Sequence, residues 1–171
     1  MQRYPDAIAH LTRGLDATAA ATPATDFTRR RQALYLIDRG RAKHRAGLPG
    51  AEEDTRTGLK LIAQLAAEPK PPADLLAAAA AAHLTAEPVS FRSRARATEF
   101  ARQAVSITAG QIAPFLVTLA HATGNPADVA AAARTASQQG EIVKPLVPPA
   151  ALAAFEQRQA KLAIASAGLP R

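Results

Sequence analysis

Apolar and small side chains recur at helical spacing in four stretches of the chain: residues 4–15, 51–66, 97–105 and 129–136. Within each stretch, two small or apolar residues lie seven positions apart, so both lie on one face of a helix. These pairs are Ala7/Gly14, Ala51/Gly58, Ala97/Ala104 and Val129/Ala136. Because small side chains let a second helix approach closely, the pattern predicts helices that pack in pairs.

The partner helices are predicted between these stretches, at residues 28–46, 73–86 and 114–123. Two short turns, Gly47-Leu48-Pro49-Gly50 and Gly124-Asn125-Pro126, each join a partner helix to the stretch that follows it. The first members of the four pairs are 44, 46 and 32 residues apart. This spacing is typical of a helical-hairpin repeat of roughly 30–40 residues with insertions in two units.

We therefore predict an all-α fold, an α-solenoid of about three helical hairpins that forms a single domain over residues 1–171. Its predicted parts are the second helix of an incomplete repeat (1–24), hairpins at 28–67, 73–108 and 114–139, and a C-terminal capping helix (149–167). The last helix has a sparse apolar stripe and one polar face, as the end of a solenoid requires.

Composition agrees with this class, since 44 of the 171 residues are Ala and only 4% are aromatic. Alanine is the best helix former and a poor strand former, so a β-rich fold is disfavoured. The chain has no cysteine. A disulfide framework, a thiolate zinc site, an iron–sulfur cluster and a cysteine nucleophile are therefore excluded.

Two segments resemble the tetratricopeptide repeat (TPR) family. One is Arg39-Gly40-Arg41-Ala42 with Gly47, Ala51 and Leu59, and the other is Leu119-Ala120 with Gly124, Val129, Ala133 and Ala136. Tyr4-Pro5-Asp6-Ala7-Ile8 resembles the second helix of a preceding repeat. Arg39 and Lys43 stand where the family usually has large apolar residues. Either the register is shifted by one residue, or this helix is less buried than usual.

A further similarity covers residues 84–88, 97–108 and 116–120. These runs are similar to the repeat regions that often follow the catalytic domain of bacterial serine/threonine kinases. The resemblance implies that the chain acts in signalling, as the regulatory tail of such a kinase. The chain itself contains neither the Gly-rich loop nor the catalytic loop of a protein kinase.

The candidate binding residues are Arg41, His44 and Arg45, which share one helix face at i, i+3 and i+4 spacing. In the TPR fold, the first helix of each hairpin lines the concave groove, so the resemblance implies that these side chains face a bound segment. Arginine can hold a carboxylate or a phosphate through two parallel hydrogen bonds. The alternative is a solvated basic face. The formal charge of +7 favours an acidic or phosphorylated partner.

Other candidate chemistry is sparse. His44, His83 and His121 lie on successive first helices and could line up as zinc ligands, but no carboxylate lies at ligand spacing, so no metal or cofactor is predicted. Glu52-Glu53-Asp54 lies in a first helical turn, where acidic residues favour the helix dipole. No phosphate-binding loop, dinucleotide fingerprint or nucleophile elbow is present, so no catalytic residues are assigned and the chain is interpreted as non-enzymatic.

The sequence thus predicts a protein-interaction module that binds a peptide or helix of a partner. One alternative is self-assembly into a homo-oligomer through the unpaired N-terminal helix. The other is nucleic-acid binding through the Arg-rich helices, against which the lack of stacking aromatics argues. The longest apolar run, residues 75–82, is far short of the roughly 20 residues that span a bilayer. We expect a cytoplasmic protein without a membrane partner.

Overall fold

The computed structural model describes residues 4–138 except Thr22 and Ala24. Within this part of the chain every regular element is helical and no strand occurs, which confirms the predicted all-α class. The elements are α1 (Tyr4–Ala20), α2 (Asp26–Arg45), α3 (Ala51–Ala66), α4 (Ala73–Thr85), a 3₁₀ turn (Val89–Phe91), α5 (Arg94–Ile107), α6 (Ala113–Thr123) and α7 (Pro126–Gln138). The predicted capping helix at 149–167 lies outside the described residues.

Local signals fix the helix ends. Helix α2 begins at Asp26, two residues before the predicted start, because the side chain of Thr25 accepts a hydrogen bond from the backbone N–H of Thr28. The hydroxyl of Thr28 in turn accepts the N–H of Thr25, which completes a capping box. Helix α6 ends at Thr123, and Gly124 after it has a φ of 65°, a left-handed conformation that glycine adopts without strain.

Packing follows chain order. Each helix packs on the next one, and α4 also contacts α2 and α6. The pairs α2–α3, α4–α5 and α6–α7 are therefore hairpins of neighbouring helices, and α1 packs on α2 ahead of the first of them.

The core is thin and rich in alanine. Its largest fully buried side chains are Ile62, Leu65, Leu76 and Thr55, on α3 and α4. A main apolar cluster joins α2 to α5, and a smaller one, centred on Leu119, joins α4 and α5 to α6.

Helices α2 and α3 approach each other closely at two glycines. A Cβ atom placed on Gly40 would overlap the Thr55 hydroxyl and lie 2.8 Å from the Ala51 carbonyl oxygen. A Cβ on Gly58 would lie 2.8 Å from the carbonyl oxygen of Ala33. Both contacts are shorter than van der Waals distance, so this pair of helices requires glycine at both positions.

Candidate partner-binding site

A groove of about 450 Å³ runs between α1 and α2. Its lining comprises Tyr4, Ala7, His10, Leu11, Asp38, Arg41, Ala42 and Arg45. Two of the three predicted site residues, Arg41 and Arg45, thus line one groove. His44 is exposed and does not line it.

The guanidinium of Arg45 is already engaged. Its Nε and Nη2 donate hydrogen bonds of 2.9 and 2.8 Å to the two carboxylate oxygens of Glu87, in the loop after α4. These hydrogen bonds are the main reason that the pKa of Glu87 lies below its ordinary value. The Arg45 side chain is nevertheless 50% exposed. Two of its five N–H donors are engaged by Glu87, and Tyr4 on α1 interacts with the same guanidinium.

Arg41, on the α2 wall of the groove, also joins α2 to α4. Its Nη2 donates a 2.8 Å hydrogen bond to the hydroxyl of Thr85, and its Nη1 lies 3.1 Å from the carboxylate of Asp38. Its Nε is buried and has no hydrogen-bond partner among the described residues. Such a donor costs free energy unless a further acceptor reaches it.

The opposite wall, formed by α1, is apolar and partly uncovered. Tyr4 and Leu11 are half-buried, whereas Ala7 is exposed. In the pattern of small residues, Ala7 matches Ala51 and Ala97, which are 7% and 0% exposed. The residue Ala51 is covered by α2, and α4 packs on the helix that carries Ala97. Among the described residues no helix covers Ala7, so this side of the groove is open.

An ion cluster beside the groove was not predicted from the sequence. The carboxylate of Asp54 accepts hydrogen bonds from Arg39 Nε and Nη2 at 2.8 and 2.7 Å and lies 2.8 Å from Lys43 Nζ. Burial alone would raise the pKa of Asp54, but the hydrogen bonds from Arg39 and Lys43 outweigh burial and hold that pKa below its ordinary value. Of the predicted acidic cluster, Glu52 and Glu53 are exposed, and Asp54 alone is buried.

This ion cluster explains the unusual positions of Arg39 and Lys43. Both side chains are about one-fifth exposed, at 19% and 20%, because their polar ends reach Asp54 across the α2–α3 turn. Arg39 Nη1 also donates a hydrogen bond of 3.4 Å to Thr12 on α1. The available signal was the spacing of Arg39 and Lys43 by one helical turn, with an acidic residue just after the turn.

The three histidines on first helices lie in different settings. His44 is exposed, His121 is half-buried, and His83 is buried with its ring stacked on Phe100 at 5.9 Å between centroids. Within the described part of the chain, no group of His, Asp and Glu side chains could hold a metal ion. None of the helices described there is long and apolar enough to cross a membrane.

No protein-family model, no curated protein and no solved structure matches the chain.

Proposed function

We propose that this chain is a non-enzymatic interaction module, an α-solenoid of TPR-like hairpins that binds a helix of a partner protein in the α1–α2 groove. The observation that carries the proposal is the exposure of Ala7, at a position whose counterparts Ala51 and Ala97 are buried beneath a neighbouring helix. A groove of about 450 Å³ lies beside it.

The two walls of the groove select the kind of helix that fits. Tyr4, Ala7 and Leu11 offer apolar surface, so the partner helix needs an apolar stripe. Arg41 and Arg45 line the other wall; Arg41 has an Nε–H without an acceptor among the described residues, and the half-exposed guanidinium of Arg45 can donate further hydrogen bonds. An acidic or phosphorylated side chain beside the apolar stripe would accept these hydrogen bonds. As the regulatory tail of a signalling kinase, the module would use this groove to hold a partner.

The proposal can be tested by selecting helical peptides from a displayed random library and mapping their binding by NMR. We expect the selected peptides to shift the amide signals of Tyr4, Ala7, Leu11 and Arg45. The substitution Ala7→Trp fills the groove and should weaken binding at least about tenfold, the equivalent of 1.4 kcal/mol. Ala9→Trp is the matched control, because Ala9 is exposed on α1 but does not line the groove.

Charge reversal at Arg41 and Arg45 should abolish binding of the acidic peptides among those selected. Equal binding by this double variant and the wild type at low salt would contradict the assignment, as would signal shifts that lie outside the groove. Sedimentation at micromolar concentration checks the alternative occupant, a second copy of α1. A dimer that dissociates on Ala7→Trp would make the groove a self-assembly surface instead.

A further inference from the structure

The arginines of α2 and α5 differ in whether their side chains have partners within the protein. On α2 every arginine has an internal partner: Arg29 pairs with Asp26 and Glu68, Arg30 with Asp74, Arg31 with the rings of Phe27 and Tyr35, Arg39 with Asp54, Arg41 with Asp38, and Arg45 with Glu87. On α5, Arg94, Arg96 and Arg102 make no ion pair or hydrogen bond through their side chains with any described residue.

The position of these arginines is also costly for the helix. Arg94 and Arg96 lie in the first turn of α5, which contains no acidic residue. Cations there oppose the positive end of the helix dipole. Neither stability nor packing of the described residues therefore accounts for these two arginines.

Two of the three free arginines line a second groove. It has a volume of about 760 Å³ and lies between α5 and the end of α6. Arg94, Thr98 and Arg102 form one stripe along it, at four-residue spacing. The other lining residues are Ala95, Glu99, Gln103, Ala122 and Thr123.

We infer that the α5–α6 groove is a second binding surface and that it holds a protein segment with two carboxylates flanking a basic side chain. Arg94 and Arg102 are eight residues apart on one helix, so their Cα atoms are separated by about 12 Å. Two carboxylates at this separation can each accept hydrogen bonds from one guanidinium. Glu99 lies between the two arginines along the helix and would pair with a lysine or arginine at the centre of the segment.

The same lining disfavours nucleic acid as the occupant. A run of phosphates would meet the carboxylate of Glu99 in the middle of the groove, where like charges repel. The lining residues include no aromatic ring on which a base could stack. Charge complementarity thus favours a segment of mixed sign over a polyanion.

The test uses fluorescence anisotropy with labelled, alanine-based helical peptides. One peptide carries two Glu residues with the spacing of Arg94 and Arg102 and a Lys midway, and the second has the same composition with its two Glu residues adjacent. We expect the first peptide to bind more tightly, and more weakly as salt rises. The double variant Arg94→Gln/Arg102→Gln should raise its Kd at least about tenfold.

The matched control is Arg13→Gln/Arg134→Gln, which removes the same charge from two exposed arginines that make no described ion pair. It should change Kd by less than about twofold, since exposed charges at a distance are screened by salt. Equal weakening by both double variants would overturn the inference in favour of net charge. Absence of binding, or no preference between the two peptides, would also overturn it.

Two further measurements separate the remaining outcomes. Single-stranded RNA could bind more tightly than the spaced peptide, with that binding lost in Arg94→Gln/Arg102→Gln. This result would assign the groove to nucleic acid instead. Ala7→Trp should leave binding of the spaced peptide unchanged, because Ala7 lies in the other groove. The binding proposals for the α1–α2 groove and the α5–α6 groove can therefore be contradicted independently of each other.

Discussion

At the scale of single residues, His83 is the least compensated group in the core. Its side chain on α4 is buried, and both ring nitrogens lack a hydrogen-bond partner among the described residues. Burial, and secondarily the charge of Arg96, lower the pKa of His83. The folded protein therefore keeps this imidazole neutral at a pH where the imidazole of an unfolded chain binds a proton.

The sign of the resulting pH dependence follows from proton binding. Below pH about 6.5 the unfolded chain takes up a proton at His83 and the folded chain does not, so stability falls as pH drops. The slope from this group is at most about 1.4 kcal/mol per pH unit. Urea unfolding between pH 7 and pH 5 should therefore show a falling free energy of unfolding.

The substitution His83→Leu should remove most of that slope and leave stability at pH 7 unchanged or higher, because two unpartnered nitrogens are lost. His44→Gln is the control for the loss of an imidazole, since His44 is exposed. Glu87, Asp74 and Asp54 have lowered pKa values, so their contribution is lost only at more acidic pH. A slope that persists in His83→Leu would contradict the assignment.

At the scale of elements, two opposing effects act at the glycines of the α2–α3 hairpin: low helix propensity and close helix packing. Replacing Gly58 with Ala gains about 1 kcal/mol of helix propensity. The added Cβ would lie 2.7 Å from Ile37 Cγ1 and 2.8 Å from the Ala33 carbonyl oxygen, and the backbone oxygen cannot move aside alone. Overpacking of this kind typically costs 1–3 kcal/mol.

We therefore expect Gly58→Ala to lower the free energy of unfolding by up to about 2 kcal/mol, the overpacking cost less the gain in propensity, measured by chemical denaturation. Thr57→Ala is the matched control, because Thr57 is an exposed neighbour on the same helix and should gain a few tenths of a kcal/mol from propensity. If Gly58→Ala is as stable as Thr57→Ala, the two helices are not in close contact at this position.

Helix periodicity in the sequence predicts several of the small residues that are buried between helices. The seven-residue pairs found Ala51, Gly58, Ala97 and Ala104, all of which are buried. Contacts between distant segments were not accessible in the same way. Arg45 meets Glu87 only because α2 and the loop after α4 are neighbours in the stack, and periodicity within one helix does not specify the neighbours of its exposed face.

Helix spacing also grouped the candidate site residues, but only some of them line the groove. One-turn spacing grouped Arg41 with Arg45, and both line the α1–α2 groove. It also included His44, which lies outside the groove, because a shared helix face is wider than the surface a groove exposes. Most arginines of α2 differ from the free arginines of α5 in having acidic partners from other segments, and such pairs depend on the tertiary arrangement.

At the scale of the whole molecule, the extensive contacts join helices that are adjacent or next but one in the chain. Stability in such a stack is approximately a sum over units and their interfaces, so parts of it can open separately. The main cluster holds the large side chains Ile62, Leu65 and Leu76, whereas the buried residues of α7 are the alanines Ala132 and Ala136. The α6–α7 hairpin should therefore be the weaker end of the described stack.

Leu119 tests this view, because it is 7% exposed and belongs to the small cluster that joins α6 to α4 and α5. Leu119→Ala should cost about 2–3 kcal/mol at that interface. Native-state hydrogen exchange should then show amides of α6 and α7 exchanging roughly 30–150 times faster, while those of α2 and α3 keep their protection. Leu48→Ala is the control, since Leu48 is 46% exposed in the α2–α3 turn and its loss should alter neither set of amides.

A uniform loss of protection from α2 to α7 would mean that the helices unfold as one cooperative unit. In that case, substitutions at the end of α6 would also weaken the distant α1–α2 groove.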